Sequence, residues 1–366
     1  MTPIRIALIG VGDVAERDYL PEWHRLKGLA ELSVVCGRNP ERVRRIAAAY
    51  GVPRWSTDYL EVVRSDIDTV VNLTPISSLA AITAAALEAG RHVYTEKPLA
   101  LTSSQARALR DTAARRELVL TCAPSILLFP QIVQVGEILR SGELGVIRSA
   151  RAHALSGVPP WPGYRSDPTP YFAAAAGPLL DLGVYPLHVL TGLLGPVSSV
   201  AASAARSRDR FTVTEGPFAG RVIAVECEDE WHLNLRLANC TASVEASYAT
   251  VASPAAECEL RGDRGAVAFS LLDVSAPISV LRPGAGGWTD VPVEHERDSG
   301  PDHVLGIRHL VECIGNRTDP VPSADHAIHV LEVIEAARGA ARTGRTVAVP
   351  APPGAELAPP RRSGQL

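Results

Sequence analysis

Lysine is almost missing from this chain. Of its 36 basic residues only two, Lys27 and Lys97, are lysines. Cysteine is sparse as well: six residues, widely spaced and with no C-x-x-C pair, exclude a disulfide framework and a structural zinc site and read as small buried apolar side chains. No segment approaches the roughly eighteen uninterrupted apolar residues of a membrane span. Met1 leads almost directly into the apolar run 4–9, which leaves no room for a secretory leader, so a cytoplasmic protein is expected. A net charge of -4, with arginines scattered among acids, gives no reason to expect nucleic acid or an anionic membrane as a partner. No metal site is expected.

At 366 residues the chain exceeds one ordinary core and suits two domains. Over residues 1–123 short β-branched runs at 4–9, 32–36, 69–73, 92–95 and 118–122 alternate with helical stretches at 40–50, 77–89 and 103–116. That alternation predicts a doubly wound parallel sheet with helices on both faces, an α/β domain. Over residues 124–349 the pattern is α+β. A helix at 129–141 and a strand at 146–154 come first. Then Trp231, Leu233, Leu235 and Leu237 alternate with His232, Asn234 and Arg236, a hairpin with one apolar face. A second hairpin turns at 262–265, and helices follow at 302–315 and 324–343, so this domain should hold an open, mostly antiparallel sheet. The proline-rich stretch 350–366 predicts a disordered tail.

The first apolar run ends in Gly10-Val11-Gly12-Asp13-Val14-Ala15, a G-x-G-x-x-A after a strand, with a helix expected to about Leu26. Gly10 permits the turn, Gly12 lets a pyrophosphate approach the backbone, and Asp13 and Val14 open the helix at the phosphate. The second strand closes on Gly37-Arg38-Asn39, without the acid that binds the adenosine ribose hydroxyls of NAD; Arg38 suits a 2′-phosphate, so NADP is favoured and NAD stays possible. Alternatively Arg38 stacks on adenine or faces solvent.

Thr74-Pro75 and Glu96-Lys97-Pro98 close strands at the carboxyl edge of the sheet, where such folds bind ligands. Arginine stays protonated above about pH 12, whereas a partly buried lysine can exchange a proton near neutrality, so Lys97 suits acid-base work where arginine does not. Pro98 restricts Lys97 to extended backbone and admits a cis bond.

A second cluster, Gly177-Pro178-Leu179-Leu180-Asp181-Leu182-Gly183-Val184-Tyr185, continues to His188. With a helix starting near Gly183, Asp181, Tyr185 and His188 fall at i, i+4 and i+7 on one face, while Leu187, Leu190 and Leu194 face the core. Each also has a plain structural role: Asp181 as a helix cap, Tyr185 at the core edge, His188 as a satisfied buried histidine. The loop carrying Trp161, Tyr164 and Arg165 offers an aromatic platform for a pyranose and a charge for a carboxylate or phosphate; the alternative role of its aromatics is only to pin a proline-rich loop.

These motifs, with Ala89-Gly90-Arg91-His92-Val93 before Glu96-Lys97-Pro98, resemble the glucose-fructose oxidoreductase/inositol dehydrogenase/MocA family over the chain to about Val349. The resemblance implies a Rossmann domain, a second domain with an open antiparallel sheet, an NAD(P) cofactor, and reversible oxidation of a carbinol in a sugar, cyclitol or related small molecule. It also implies a homodimer or homotetramer associated through the open sheet. Carried over, Lys97 matches the lysine between nicotinamide and substrate, and Asp181 the acid that positions substrate. Tyr185 stands where histidine is common and His188 where aspartate is common, so Lys97, Tyr185 and His188 remain alternative proton carriers. Relatives that oxidise and re-reduce a held sugar, and regulators without catalysis, define the other readings; the second kind tends to lose the lysine.

Overall fold

In the computed structural model, which describes residues 3–352, contacts divide the chain into two units. The first holds the described residues up to Leu128 together with Asp302–Ile328. The second holds Phe129–Pro301 and the described residues from His329 onward. The sequence assigns everything after residue 123 to the second domain, whereas the segment 302–328 packs with the first. The expected tail, 350–366, lies outside the described residues from 353 on.

In the first unit the order is β1 (Ile4–Ile9), β2 (Ala30–Cys36), α1 (Pro40–Ala49), β3 (Arg54–Ser56), α2 (Tyr59–Arg64), β4 (Thr69–Asn72), α3 (Ile76–Glu88), β5 (His92–Thr95), α4 (Ser103–Arg115) and β6 (Leu120–Cys122). All pairings are parallel, in the order β3-β2-β1-β4-β5-β6, the Rossmann arrangement with its reversal beside β1. Every residue of β4 is buried, as expected of a strand covered on both faces. Side chains start α1 and α4: Asn39 accepts from the Arg42 amide at 3.0 Å with Pro40 in the first turn, and Thr102 accepts from the Gln105 amide at 3.2 Å. β3 and α2 were not expected from the sequence. Nor does one helix run to Leu26: residues Ala15–Tyr19 are wound as a π-helix, and a separate 3₁₀ turn covers Trp23–Leu26.

The second unit begins with α5 (Pro130–Ser141), β7 (Ile147–Leu155), the short α6 (Pro178–Asp181) and α7 (Val184–Leu194). Strands β8 (Val197–Ala205), β9 (Arg210–Thr212), β10 (Val222–Ala224), β11 (Glu230–Leu237), β12 (Thr241–Ser247), β13 (Cys258–Gly262), β14 (Ala266–Phe269), β15 (Ile278–Leu281) and β16 (Thr289–Val291) follow. Helix α8 (Val304–Asn316) returns to the first unit, where Val304, Ile307, Leu310 and Val311 join a core with β1 and β2 residues. The division falls within α9 (Ala324–Thr343), and β17 (Val347–Ala348) closes the order.

The large sheet of the second unit runs β16-β15-β14-β13-β7-β12-β11-β8-β17. Only β7 and β12 pair in parallel. On β11 Trp231, Leu233 and Leu235 are buried, while His232, Asn234 and Arg236 are exposed, so the alternation in the sequence is the alternation of the sheet's two faces. All six cysteines are free and buried. No helix among the described residues is long and apolar enough to cross a membrane.

Candidate active site

The turn after β1 fits a dinucleotide. At Gly10, φ is 101° and a Cβ would stand 2.5 Å from the carbonyl carbon of Leu73, so both conformation and space demand glycine. At Gly12 no protein atom lies within 4 Å of an added Cβ. Packing of the chain therefore does not require glycine there, and the space beside it is open. Asp13, buried, accepts from Arg42 Nη2 at 2.9 Å, and Glu16 accepts from Arg42 Nε at 2.6 Å, so Arg42 ties the turn to α1. Val14, partly buried, packs against the core of the unit.

At the end of β2 a Cβ on Gly37 would lie 2.7 Å from Val11 Cγ2, which leaves no room for the ribose-binding acid found in many dinucleotide folds. Arg38 is exposed, at an open concavity lined by Arg38, Asn39, Pro40 and Glu41. Asn39 is exposed too, and its side-chain oxygen caps α1.

Asn72 and Tyr19, which lie outside the sequence motifs, help to organise the ends of β4 and β5. Asn72, buried at the end of β4, donates to Leu79 O and Thr83 Oγ1 at 3.1 Å and accepts from Thr74 Oγ1 at 2.7 Å, which fixes the Thr74-Pro75 turn. At the end of β5, Glu96 Oε1 accepts from the Tyr19 hydroxyl at 2.7 Å and Oε2 from the Lys97 amide at 3.0 Å. Lys97 is half-buried and its bond to Pro98 is cis; Lys27 is exposed.

In the second unit Asp181 ends α6, and Leu182-Gly183 separate it from α7. The helix expected to start near Gly183 is α7, and Asp181 lies before it. Asp181 and Tyr185 are half-buried, but His188 is buried beside His329. Burial first, and then the neighbouring imidazole, push His188 down to about 3. His329 is likewise pushed down by burial, to about 4, and its Nε2 accepts the Val197 amide at 3.0 Å, which requires an unprotonated nitrogen. Of the three leucines given to the core, Leu187 and Leu190 are fully buried and Leu194 only partly.

Asp181 Oδ2 accepts from the hydroxyl of Tyr248 at 3.0 Å. Burial, with the Asp181 charge adding to it, holds the Tyr248 phenol well above its ordinary value, so it stays a donor. Trp161 stands edge-on to Tyr164, Tyr171 and Tyr248, with centroids 5.6, 5.4 and 6.0 Å away, and its Nε1 donates to Ser156 O at 2.7 Å. The loop is thus pinned, and the pinning places an aromatic cluster around the Tyr248–Asp181 pair. Arg165 is exposed on the same loop. Tyr171 and Tyr248 were not selected from the sequence.

Residues 4–123 match the oxidoreductase family with an NAD-binding Rossmann fold, and residues 132–268 match the GFO/IDH/MocA C-terminal domain. A dTDP-3,4-didehydro-2,6-dideoxy-alpha-D-glucose 3-reductase of Actinomadura kijaniata is 34% identical over 219 residues, 58% of this chain and 63% of that protein. The chain thus spans under two thirds of the length of that relative and of its counterparts in Saccharopolyspora spinosa and Streptomyces antibioticus. D-apiose dehydrogenase of Paraburkholderia graminis is 28% identical over 355 residues, 93% of this chain and 88% of that one. Levoglucosan dehydrogenase, solved in complex with NADH and levoglucosan, has the same fold, with a TM-score of 0.81 at 22% identity over 95% of this chain and all of that one.

Proposed function

Because the chain belongs to the glucose-fructose oxidoreductase/inositol dehydrogenase/MocA family of oxidoreductases, we propose that it moves a hydride between a nicotinamide cofactor, NADP in preference to NAD, and a carbinol or ketone carbon of a sugar, cyclitol or sugar derivative. The observation that carries this reading is Lys97, half-buried at the carboxyl end of β5 in a turn fastened by Glu96. The bound cofactor supplies or accepts the hydride. In the oxidative direction the hydroxyl proton leaves to the Lys97 amine, whose ammonium form then stabilises residual charge on oxygen; in reduction Nζ returns the proton.

Asp181 orients the substrate hydroxyl, and Tyr248 fixes that carboxylate. Tyr185, half-buried and four residues after Asp181, is the better second proton carrier. His188 is buried and strongly biased to the neutral form, which supports a packing role. Trp161 and Tyr164 form a wall suited to the apolar face of a pyranose, and Arg165 is the charge that a carboxylate or phosphate on the substrate would meet. Gly10, Gly12, Asp13 and Val14 receive the pyrophosphate through their backbone, Arg38 and Asn39 border the 2′-phosphate, and Thr74, Pro75 and Glu96 shape the nicotinamide end. The exposed face with His232, Asn234 and Arg236 supports pairing with a second copy; light scattering should give a dimer or tetramer, and a 38.8 kDa species alone at micromolar concentration would oppose it.

The test is a thermal-shift screen with NADP and NAD, each crossed with sugars and cyclitols, followed by absorbance of reduced nicotinamide for every hit. Stabilisation by cofactor and sugar with release of reduced cofactor supports the reading. Conversion of the sugar without release identifies a redox-neutral enzyme instead, and no response to either cofactor overturns the proposal.

A further inference from the structure

The segment that begins at the dinucleotide turn also reaches the lysine turn. The Glu16 amide bonds to Gly12 O, four residues back, at 3.1 Å, but the Leu20 amide bonds to Ala15 O, five residues back, at 2.8 Å. This π-winding adds a residue to the turn and directs Tyr19 inward, where it is fully buried. Its hydroxyl donates to Glu96 Oε1 at 2.7 Å and lies 3.2 Å from the Tyr94 hydroxyl. A phenol has one proton. Since Tyr19 uses its proton on the carboxylate, Tyr94 is the donor to Tyr19, and the chain of bonds runs Tyr94 to Tyr19 to Glu96. Burial, with the Glu96 charge adding to it, raises both phenols, so neither loses its proton under working conditions.

Glu96 in turn holds the Lys97 amide with its other oxygen. The Tyr19 ring also packs edge-on to Tyr94, with centroids 6.2 Å apart, and against His303 at 5.4 Å. A phenylalanine would keep those ring contacts; what the hydroxyl adds is the bond to Glu96. We infer that Tyr19 is a positioning residue for Lys97, acting through Glu96, and that the π-turn exists to deliver its hydroxyl. The inference rests on the reading of Lys97 as the residue that moves the proton.

The scarcity of lysine makes the test direct. Protein labelled with ¹⁵N-lysine gives two lysine amide signals, from Lys27 and Lys97. In Tyr19→Phe the Lys97 signal should move and its hydrogen exchange should quicken about tenfold, while exposed Lys27 stays in place. With the substrate found by the screen, kcat should fall about tenfold at little changed KM, with the NADPH dissociation constant within about twofold of wild type. Glu96→Gln should move the same amide signal and lower kcat at least as far, and the double variant should be no worse than the poorer single one. Should Tyr19→Phe fail to fold, Glu96→Gln decides alone by the same signals. An unmoved Lys97 amide, or an unchanged kcat per cofactor-binding site despite a lower melting temperature, overturns the inference. Lys97→Met separates the two claims: if it abolishes turnover while Tyr19→Phe does nothing, the lysine reading stands and this inference falls; if it retains turnover, the lysine reading itself fails.

Discussion

The hydroxyl of Tyr248, the residue immediately after β12, donates to Oδ2 of Asp181 at the end of α6, 67 residues earlier in the chain. A hydrogen bond to a charged group is worth about 1.5–3 kcal/mol, and a buried one also fixes direction. Tyr248→Phe keeps the ring against Trp161 and Phe172 and removes only the donor. It should lower kcat/KM by roughly 10- to 100-fold while leaving NADPH affinity unchanged. Activity within about twofold of wild type would mean that Asp181 holds its place without Tyr248.

That pair also shows where sequence reasoning stops. Local periods were legible: β1 and β5, α9, and the two faces of β11 follow from spacing alone. The Gly10 requirement was legible because a glycine turn after a strand carries its conformation locally, here a φ of 101°. Tyr248 was not, since it ends a strand like any core aromatic and its partner is set by tertiary packing. Nor was the fate of His188: a helix begins at Val184, close to the Gly183 start that the spacing predicts, but burial beside His329 is set by tertiary packing. The π-turn escaped because a one-residue shift in winding leaves no mark in a five-residue pattern. β3 and α2 were too short to give a period.

At the end of β2 the prediction concerns the cofactor. Gly37 is held small by Val11, and Arg38 is the exposed cation that follows it. A fluorescence titration should show NADPH binding more tightly than NADH. Arg38→Ala should remove about 10- to 100-fold of NADPH affinity and leave NADH nearly unaffected. Gly37→Asp should not simply convert the preference, because the new side chain presses on Val11. Equal affinities for the two cofactors in wild type would refute the NADP assignment.

His188 and His329 make the second unit sensitive to acid. Their folded pKa values, pushed down to about 3 and about 4, lie below the ordinary histidine value near 6.5. The unfolded chain therefore binds protons first as pH falls. The stability that these groups contribute is complete above about pH 6.5 and declines below it, by up to about 1.4 kcal/mol per pH unit for each histidine, until the folded values are reached. Urea unfolding at pH 7 and pH 5 should show the loss, and His188→Leu should make the difference smaller. An equal acid loss in wild type and variant would show that His188 titrates normally in the folded protein.

Lys97 carries the decisive prediction. The chain uses arginine at nearly every basic position, so a lysine half-buried in a turn fixed by Glu96 stands apart on composition and on placement. Lys97→Met keeps the apolar stem and should retain cofactor binding while lowering turnover by about 100-fold or more. Lys97→Arg keeps the charge but not the compact ammonium or the exchangeable proton, and should be nearly as damaging. Tyr185→Phe should lower the rate further and alter its pH profile if Tyr185 is the second carrier, whereas His188→Leu should act mainly on stability. Near-normal turnover in Lys97→Arg, measured on an identified substrate, would mean that positive charge alone suffices and that proton transfer belongs to another residue.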